Sequence, residues 1–515
     1  MVPDGDRLAP LSGTQASGNG QHMAPQPHRI LFATSEAHPL IKTGGLGDVA
    51  GSLPAAIKAL RHDVRIIMPN YRQVLLKSRD LRIVAKLELP GVTETVRLLE
   101  CKMPGSQVKL WLVDSPHHFD RDGGPYTNAD GLDWPDNAQR YTTFAQTVVK
   151  VALDQLGLDW RPHIVHCNDW QSGLIPALLA REKTRPATLF TIHNLAYQGV
   201  FSWSTYHSLS LPADLWSPDT MEFYGSFSFI KGGLVFADML NTVSPTYAKE
   251  IRTPEFGYNL QGLLNHRADR LVGILNGADY THWDPRRDKL IVKPYDGKTY
   301  QHKLENKLAL QREVGLPVAK ETPLIGFVGR LVEQKGFDLF LKAIHEIMRE
   351  DAQFVVLGTG DKQLEQAIRQ AAVHYPRQLA ATIGYNEEMA HRIEGGADMF
   401  MMPSRFEPCG HNQIYSLRYG TVPVVRRTGG LNDTVIDATD QTLANGKATG
   451  FCFDEPTPKA LHHALQRAVA MYHRQPDAWH KLAITGMKQD FSWRRSAKEY
   501  LVLYQQALSY VKNNG

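Results

Sequence analysis

The same local pattern, an apolar stretch followed by a loop and a helix-like segment, begins twice along the chain. This repetition constrains the fold more than any other feature. An apolar stretch at 28–34 is followed by a glycine-rich loop with a lysine, then by a helix-like segment ending near Leu60. The order begins again at 323–329 and leads into a helix-like segment at 336–349. Such alternation predicts right-handed βαβ units and parallel sheets. Because 515 residues are too many for one hydrophobic core, we expect two doubly wound α/β domains with a cleft between them.

Polar residues directly follow several of the apolar stretches that we predict to be buried strands. Asn168-Asp169, His193-Asn194 and Ser244-Pro245 each come after such a stretch in the first half. Open α/β sheets bind ligands beyond the carboxyl ends of their strands, so these positions are candidates for a site. Pro54 lies inside the first helix-like segment and predicts a kink or a late helix start. The further strand candidates are 63–68, 163–166, 187–191, 239–243 and 354–357.

We expect the two domains to join near 275–284. The last segment contains an amphipathic, helix-like stretch at 493–511 that can cross back to the first domain. The start of the chain is rich in Gly, Pro, Ser and Gln and lacks the basic start and apolar core of a secretory signal. The predicted organisation is a disordered tail at 1–27, a first domain at 28–274, a second domain at 275–490 and a C-terminal segment at 491–515.

Composition argues against several classes of function. A net charge of +4 gives no basic field of the kind that binds nucleic acid. The sequence contains no run of 18 apolar residues, so we expect no membrane-spanning helix. The four cysteines are far apart and lack C-x-x-C pairs, which favours free thiols in a reducing cytoplasm. Histidines such as His163, His166 and His193 lack a carboxylate or cysteine set with metal spacing, so we expect ordinary histidines and no metal site.

The first candidate site is the loop K-T-G-G-L-G-D at 42–48, directly after the first predicted strand. Its glycines let the backbone approach a ligand and present N–H groups to an anion at a helix start. The glycine spacing is not G-x-G-x-x-G, and the lysine precedes the glycines, unlike a P-loop. A dehydrogenase or an NTPase is therefore disfavoured, and a plain tight turn is the alternative interpretation.

Two loops of the second half carry complementary groups. Arg330 and Lys335 follow the restarted strand, where two cations can bind a pyrophosphate and stabilise its growing charge. Glu407 lies in P-S-R-F-E-P-C-G at 403–410, where it can hydrogen-bond a sugar while the amides that follow face a phosphate. The alternatives are an exposed basic loop and a helix-capping carboxylate. A basic, glycine-rich loop follows at 426–431.

Together these stretches resemble the glycogen and starch synthases of glycosyltransferase family 5. The loop at 42–48 resembles that family's K-x-G-G loop, and the stretch at 403–435 resembles its best-known block. The resemblance runs from about Arg29 to about Trp493 and implies the GT-B architecture, two Rossmann-like domains facing each other across the active-site cleft. Further matches in family order are D-W-P-D-N at 133–137, N-D-W at 168–170, T-I-H-N-L-A-Y-Q-G at 191–199, T-V-S-P-T-Y at 242–247 and I-L-N-G at 274–277.

The resemblance implies a retaining hexosyltransferase that needs neither metal nor cofactor. It would move glucose from a nucleotide sugar to the non-reducing end of an α-1,4-glucan such as glycogen. ADP-glucose is the implied donor and UDP-glucose the alternative. The first domain would hold the acceptor and the second the nucleotide sugar. Two other classes remain open, an inactive or weak glucan-binding regulatory homologue and a different GT-B transferase related to sucrose synthase or phosphorylase.

The implied catalytic residues come from four of the matching motifs. Lys42 and the glycine amides beside it are implied to contact the donor, and Arg330 and Lys335 to hold its pyrophosphate. Glu407 is implied to bind the glucosyl hydroxyls, and His193 to lie beside the anomeric centre.

The implied donor-binding set is larger and draws on both domains. Tyr385, in I-G-Y-N, resembles the residue that stacks on the base, and Tyr126, in G-P-Y, resembles one near the donor glucose. The chain departs from the commonest bacterial pattern at 411–412, at Gln171 and at 258–261, positions that bear on acceptor preference rather than on the reaction. The implied set is Gly44, Gly45, Asp48, Tyr126, Asn276, Tyr385, Cys409, Gly410, His411 and Asn412.

Overall fold

Strands and helices alternate along both halves of the chain, as the repeated pattern predicts. The computed structural model describes residues 27–514. The predicted disordered tail at 1–27 lies outside the described residues apart from its last residue. The described strands of the first half are β1 (Arg29–Ala33), β2 (Asp63–Pro69), β3 (Arg82–Leu87), β4 (Val96–Lys102), β5 (Lys109–Asp114), β6 (Ile164–Asn168), β7 (Ala187–Ile192), β8 (Val200–Phe201), β9 (Glu222–Phe223), β10 (Ser226–Ser228), β11 (Met239–Thr242) and β12 (Leu271–Gly273). Those of the second half are β13 (Leu324–Val328), β14 (Gln353–Gly358), β15 (Leu379–Ile383), β16 (Met399–Met402), β17 (Val422–Arg426) and β18 (Phe451–Phe453).

Each half is built around its own open sheet. The first has nine strands in the order β12-β11-β7-β6-β1-β2-β5-β4-β3, parallel except that β4 runs antiparallel to β3 and β5. The second has six parallel strands in the order β15-β14-β13-β16-β17-β18. The strand order reverses beside β1 and beside β13, and such switch points open a crevice at the carboxyl ends of the strands. A small antiparallel sheet, β8-β10-β9, lies in the first half.

The seven predicted strands coincide with β1, β2, β6, β7, β11, β13 and β14. Their residues are almost all buried, as expected for parallel strands covered on both faces. The mostly buried strands β4, β5, β16 and β17 lie outside the predicted strands. So does β3, whose residues alternate weakly and are mostly exposed or half-buried. An edge strand of that kind carries little of the apolar signal on which the other predictions depend.

Helices cover both sheets. The late helix start predicted from Pro54 is wrong, since α1 (Gly45–Ala59) begins in the glycine loop and continues through Pro54, while the kink stays a prediction. Leu53 and Ile57 on either side are fully buried, and their packing outweighs the backbone hydrogen bond that a proline cannot make. The first-half helices are α1 (Gly45–Ala59), α2 (Arg72–Lys77), α3 (Pro116–Phe119), α4 (Asn137–Ala152), α5 (Leu174–Leu179), α6 (Trp203–Ser208), α7 (Phe229–Phe236), α8 (Pro245–Glu250) and α9 (Gln261–His266).

The single helix predicted at 336–349 is in fact two short helices, α11 (Phe337–Lys342) and α12 (Ile344–Ile347), which are separated at Ala343. No described helix is long and apolar enough to cross a membrane. The remaining described helices are α10 (Lys303–Glu313), α11 (Phe337–Lys342), α12 (Ile344–Ile347), α13 (Lys362–His374), α14 (Glu387–Gly396), α15 (Asn412–Tyr419), α16 (Gly429–Thr434), α17 (Asp440–Ala444), α18 (Pro458–Arg474), α19 (Pro476–Met487) and α20 (Trp493–Asn514).

The last helix, α20, packs against the first half of the chain. Residues of α20 share one hydrophobic core with the nine-stranded sheet. The Tyr504 hydroxyl hydrogen-bonds His166 Nδ1 at 2.8 Å. The two segments that join the halves lie side by side, with the Ala278 N–H donating to the Phe491 carbonyl at 2.7 Å. Gly277 permits this approach, because a Cβ there would lie 2.5 Å from the Trp493 Cα.

Candidate active site

The glycine loop at 42–48 is held from behind by Glu36, which lies just beyond β1. Only 3% of Glu36 is exposed. Its carboxylate accepts hydrogen bonds from the Thr43 N–H at 2.5 Å, from the Thr43 hydroxyl at 2.9 Å and from the Gly44 N–H at 3.3 Å. Burial raises the pKa of Glu36, and these hydrogen bonds oppose the rise. The Gly44 amide, which the sequence assigned to the donor, is thus already used to position the loop.

Tyr126 supports the same carboxylate. Its hydroxyl donates to Glu36 Oε1 at 2.9 Å and hydrogen-bonds Ser35 Oγ at 2.7 Å. Burial raises the pKa of Tyr126 well above its ordinary value, so the phenol stays protonated. The Asn137 side chain, at the start of α4, donates to the Tyr126 carbonyl at 3.0 Å. Tyr126 therefore links α4 to the glycine loop.

On the opposite wall, Lys335 forms a salt bridge with Glu407. The Glu407 carboxylate is buried and also accepts a hydrogen bond from Ser404 Oγ at 3.2 Å. Gly336, with φ +65°, allows this approach, because a Cβ there would lie 1.9 Å from the Pro403 carbonyl oxygen. The loop after β13 and the loop after β16 are thereby locked together by a charge-assisted contact.

Arg330 differs from Lys335 although both follow β13. It is exposed, and it donates to Gln334 Oε1 at 3.2 Å. It forms no salt bridge with any residue in the range 27–514. Nearby, the Asn412 side chain donates to the Val328 carbonyl at 2.8 Å and ties the first turn of α15 to the end of β13. Arg330 thus keeps its full charge available at the cleft.

His193, just beyond β7, is buried in the first-half wall. Burial lowers its pKa to about 3, so the imidazole is neutral at physiological pH. Its Nε2 lies 3.0 Å from Asn168 Oδ1, while the Asn168 amide nitrogen donates to the Ala33 carbonyl. Because this amide oxygen is an acceptor, the His193 proton resides on Nε2. The other ring nitrogen, Nδ1, is left as an acceptor.

Asp169 holds the backbone of His193 in place. Its carboxylate accepts the His193 N–H at 2.7 Å, and burial raises its pKa to about 7. Asp169 has φ +54°, a conformation that costs a non-glycine residue energy and that is concentrated at functional sites. Gln171, two residues on, is buried with an Oε1 that has no partner among the described residues.

The two walls meet at Asp48. Its carboxylate lies 2.7 Å from Lys42 Nζ and 3.8 Å from His411 Nδ1 of the second half. Burial lowers the pKa of His411. Its ring lies 3.7 Å from the position that a Cβ on Gly45 would take. Tyr385, just beyond β15, is 82% exposed, and partial desolvation of its hydroxyl together with the charge of Glu387 raises its pKa.

Cys409 and Asn276 lie deeper between the halves. Burial raises the pKa of Cys409 to about 12, which keeps it a thiol, and the Asn276 N–H reaches its sulfur. Asn276 Oδ1 is buried without a partner among the described residues. Gly410 has φ +73°, which a side chain would rarely adopt. The Gln413 side chain packs against it and donates to the Cys409 carbonyl at 2.9 Å.

A second contact joins the halves beside the cleft, between α8 and α16. Asp433 accepts from the Thr246 N–H at 2.9 Å and from its hydroxyl at 2.6 Å. Glu250 accepts from the Thr428 hydroxyl and from the Gly429 N–H, both at 3.0 Å. These polar contacts hold the glycine-rich loop at 426–431 over the stretch that carries Glu407.

Comparison with known proteins agrees with this geometry. Residues 29–266 match the starch synthase catalytic domain, and residues 312–483 match the glycosyl transferases group 1. The chain is 56% identical to glycogen synthase 2 of Nitrosococcus oceani over 490 residues, 95% of this chain and 99% of that one. It is also 56% identical to a glycogen synthase of Thioalkalivibrio sulfidiphilus, over 93% of this chain and all of the other. The chain belongs to the glycogen and starch synthase family.

A solved structure supports the same assignment. The catalytic domain of starch synthase IV from Arabidopsis thaliana, bound to ADP and acarbose, superposes with a TM-score of 0.84. It is 32% identical and covers 94% of this chain and all of its own length. The GT-B fold and the enzyme class, a glycosyltransferase, are therefore confirmed.

Sequence reasoning missed part of this family's cleft. Glu36 stands three residues beyond β1, and the rule that polar residues past strand ends mark a site applies to it as well. The Asp433–Thr246 and Glu250–Gly429 contacts join residues far apart in sequence and carry no local signal. No group of three or more His, Cys, Asp or Glu side chains in the described part of the chain could hold a metal ion.

Proposed function

We propose that the chain transfers glucose from ADP-glucose to the non-reducing end of an α-1,4-glucan such as glycogen, with retention of configuration and without a metal ion. The proposal rests on the two walls of the cleft, which face each other and carry complementary groups. One bears the Lys335–Glu407 pair and Arg330, and the other bears the glycine loop with Lys42. Such a cleft offers cations and backbone N–H groups for a diphosphate and a buried carboxylate for sugar hydroxyls.

The proposed chemistry depends on leaving-group stabilisation. As the glycosidic bond to the diphosphate breaks, negative charge grows on the phosphate oxygen. Lys335, Arg330 and Lys42 favour that charge, and they do so more strongly in a cleft from which water is excluded. The departing phosphate then accepts the proton of the incoming glucan hydroxyl on the same face of the sugar, so that configuration is retained.

Neutral His193 fits a role beside the glucosyl group. An imidazolium would repel the positive charge that develops at the anomeric carbon, whereas a neutral ring does not. The low pKa that burial imposes on His193 keeps the ring neutral over the whole physiological range. Its Nδ1, the acceptor nitrogen of this tautomer, can accept a hydrogen bond from a sugar hydroxyl.

Two observations bear on the donor. The related starch synthase IV structure was solved with ADP, which favours an adenine nucleotide for this chain as well. Tyr385 offers an aromatic face to a base, but such a face does not itself choose between adenine and uracil. We therefore propose ADP-glucose as the donor, with UDP-glucose as the competing substrate in the test.

An inactive glucan-binding homologue is the alternative function. It would have no need of the Lys335–Glu407 salt bridge, of the exposed Arg330 or of the Glu36 support behind the glycine loop. All three are present together in this chain, which favours catalysis.

The test is release of ADP or UDP from each sugar nucleotide, with and without glycogen and in excess EDTA. We expect fast, glycogen-dependent ADP release that EDTA does not change, and slower UDP release. NMR of the elongated glucan should show new α-linkages only. Equal release without glycogen would indicate hydrolysis, and no release from either donor would support the inactive homologue. Activity that returns only on addition of Mg²⁺ would contradict metal independence.

A further inference from the structure

Glu250, the last residue of α8 in the first half, contacts the second half with a single oxygen. Its Oε1 accepts hydrogen bonds from the Thr428 hydroxyl and from the Gly429 N–H, both at 3.0 Å. The other oxygen, Oε2, is buried without a hydrogen-bond partner among the described residues. Burial raises the pKa of Glu250, and the two hydrogen bonds oppose the rise. The contact with the glycine-rich loop at 426–431 therefore depends on one acceptor atom.

This contact replaces the cap that α16 would ordinarily receive from its own chain. Thr428 directly precedes α16, and at that position a threonine hydroxyl usually accepts a hydrogen bond from the helix backbone. Here the Thr428 side chain makes no such bond, and its hydroxyl donates to Glu250 instead. The N–H of Gly429, the first residue of the helix, also donates to Glu250. The start of α16 is thus held by an acceptor from the other half of the molecule.

The glycines that follow Thr428 lie directly on the backbone that carries Glu407. A Cβ at Gly429, where φ is +42°, would lie 2.0 Å from the Glu407 carbonyl oxygen. The Gly430 N–H donates to that same oxygen at 3.1 Å. A Cβ at Gly430 would lie 2.1 Å from the Cys409 carbonyl oxygen. Because no side chain separates the two segments, a displacement of the glycines is passed directly to the backbone of Glu407.

Arg426 lies between Glu250 and the same stretch, and it shows whether charge or hydrogen bonding carries the contact. Its guanidinium donates to the Arg405 carbonyl and, at 2.9 Å, to the Asp454 carbonyl. Burial lowers the pKa of Arg426, and the charge of Glu250 opposes this shift. The ordinary pKa of an arginine is so far above 7 that the guanidinium stays charged with or without Glu250. The hydrogen bonds from Glu250, rather than its charge, therefore determine the position of the loop.

We propose that Glu250 is a positioning residue for Glu407 and acts on it across the cleft, through the Thr428 hydroxyl and the Gly429 N–H. The role rests on the proposed function, in which the buried carboxylate of Glu407 binds sugar hydroxyls. Because Glu250 belongs to the first half and Glu407 to the second, the placement of Glu407 depends on how the two halves face each other. A misplacement of about 1 Å at a reacting group can slow a reaction about a hundredfold. Fast turnover thus requires the contact between α8 and α16.

The first experiment compares two variants of Glu250 in steady-state elongation kinetics. Glu250→Leu removes both acceptor oxygens, whereas Glu250→Gln keeps a carbonyl oxygen that can accept both hydrogen bonds. Glu250→Leu should lower kcat at least about tenfold and change the donor KM much less. Glu250→Gln should keep kcat within about threefold of the wild type, since the hydrogen bonds remain. A normal kcat in Glu250→Leu, or an equal loss in both variants, would overturn the proposal.

The matched control is Glu255→Leu. Glu255 is exposed on the segment that follows α8, and its charge reaches Arg426 as that of Glu250 does. Within the described part of the chain it forms no hydrogen bond with the loop at 426–431. This control should elongate glucan as the wild type does. A loss of kcat equal to that of Glu250→Leu would show a general effect of charge and would contradict the positioning role.

A double-mutant cycle tests whether Glu250 acts through Glu407. Glu407→Gln should lower kcat strongly in the wild-type background and much less in the Glu250→Leu background, where the carboxylate is already misplaced. Losses that simply multiply would mean that the two residues act independently, which would overturn the proposal. If Glu250→Leu does not fold, Thr428→Val replaces it in the cycle, since it removes the hydroxyl partner of the same contact at nearly constant shape.

Hydrogen exchange separates a failure of this proposal from a failure of the proposed function. The amides at 428–431 should exchange at least about tenfold faster in Glu250→Leu than in the wild type, while those of the buried strand β17 should not change. The measurement needs no activity. Faster exchange in a chain that releases no nucleotide would show that the proposed reaction, and not the contact from Glu250, had failed. Unchanged exchange at 428–431 would overturn the proposal.

Discussion

The two walls of the cleft are built on different principles. In the first half, the glycine loop is held by the buried Glu36, which accepts hydrogen bonds from the loop and from Tyr126 but forms no salt bridge with a described residue. In the second half, Lys335 is paired directly with Glu407 across two loops, and Arg330 is exposed and forms no salt bridge within residues 27–514. The first wall is thus shaped by an uncharged-donor hydrogen-bond network around one carboxylate, whereas the second carries a salt-bridged cation and an exposed cation.

This difference indicates that the two walls contribute differently to substrate binding and to catalysis. Preorganised backbone N–H groups contribute to binding and orientation, because they change little between substrate and transition state. A cation whose partner is a nearby carboxylate can redistribute its interaction as the leaving group gains charge. We therefore expect variants of the second wall to lower kcat and variants of the first wall to impair both binding and turnover.

The largest effect should come from the second wall. Lys335→Ala should lower kcat roughly a hundredfold, about 3 kcal/mol of barrier, with a much smaller loss of donor affinity. Lys335→Arg should restore little, because a planar guanidinium cannot place its charge where a compact ammonium lies. Steady-state elongation kinetics and calorimetry with the nucleotide measure the two quantities.

The matched control for this prediction is Lys342→Ala on α11. Lys342 is exposed and pairs with Asp338 within its own helix, while Asp338 keeps a second salt bridge to Arg405 when Lys342 is lost. Its loss should leave kcat unchanged. If Lys335→Ala instead weakens nucleotide binding a hundredfold at normal kcat, Lys335 only tethers the donor, and the comparison between the walls is broken.

A tenfold effect is expected from the first wall. Glu36→Gln keeps the shape but removes the charge and one acceptor oxygen. If the remaining oxygen serves the Thr43 and Gly44 N–H groups, the NH₂ group faces the Thr43 and Tyr126 hydroxyls, which can then no longer donate to residue 36. We expect a loss of about tenfold in kcat/KM and about 1–3 kcal/mol in the free energy of unfolding. Tyr126→Phe removes a single hydrogen bond to the same carboxylate and should reproduce a fraction of both losses.

Kinetics and chemical denaturation of Glu36→Gln and Tyr126→Phe check that prediction together. Full activity in Glu36→Gln would show that the loop keeps its shape without the carboxylate. A larger loss in Tyr126→Phe than in Glu36→Gln would instead assign the phenol a direct contact with the donor.

The smallest effect should come from the exposed edge between the walls. Tyr385→Ala should raise the donor KM about fivefold and change kcat less, because only stacking on the base is lost. Tyr385→Phe, which keeps the aromatic face, should behave as the wild type does. An unchanged KM in Tyr385→Ala would remove this residue from the donor site.

Local features of the sequence determined much of this protein. The strands β1 and β13, the loops that follow them and the positions of Lys42, Arg330 and Lys335 follow from apolar runs, glycines and strand ends. These signals are local because backbone conformation and burial repeat over a few residues. The edge strand β3 was not predicted, because its residues alternate only weakly between apolar and polar. The early start of α1 was not predicted either, because a proline inside a helix normally favours a later start.

Only the tertiary structure decided which of these groups meet. Lys335 pairs with Glu407, 72 residues further on, and Asp48 of one half reaches His411 of the other. Glu36 accepts a hydrogen bond from the Gly44 amide, which the sequence had assigned to the donor. Tyr504, on the C-terminal helix α20, hydrogen-bonds His166 of the first half. Such contacts depend on how two sheets twist and dock, and on the chain length that separates the partners. The spacing of residues within one short segment gives no information on either quantity. The arrangement of the cleft residues is therefore known only once the two halves are placed face to face.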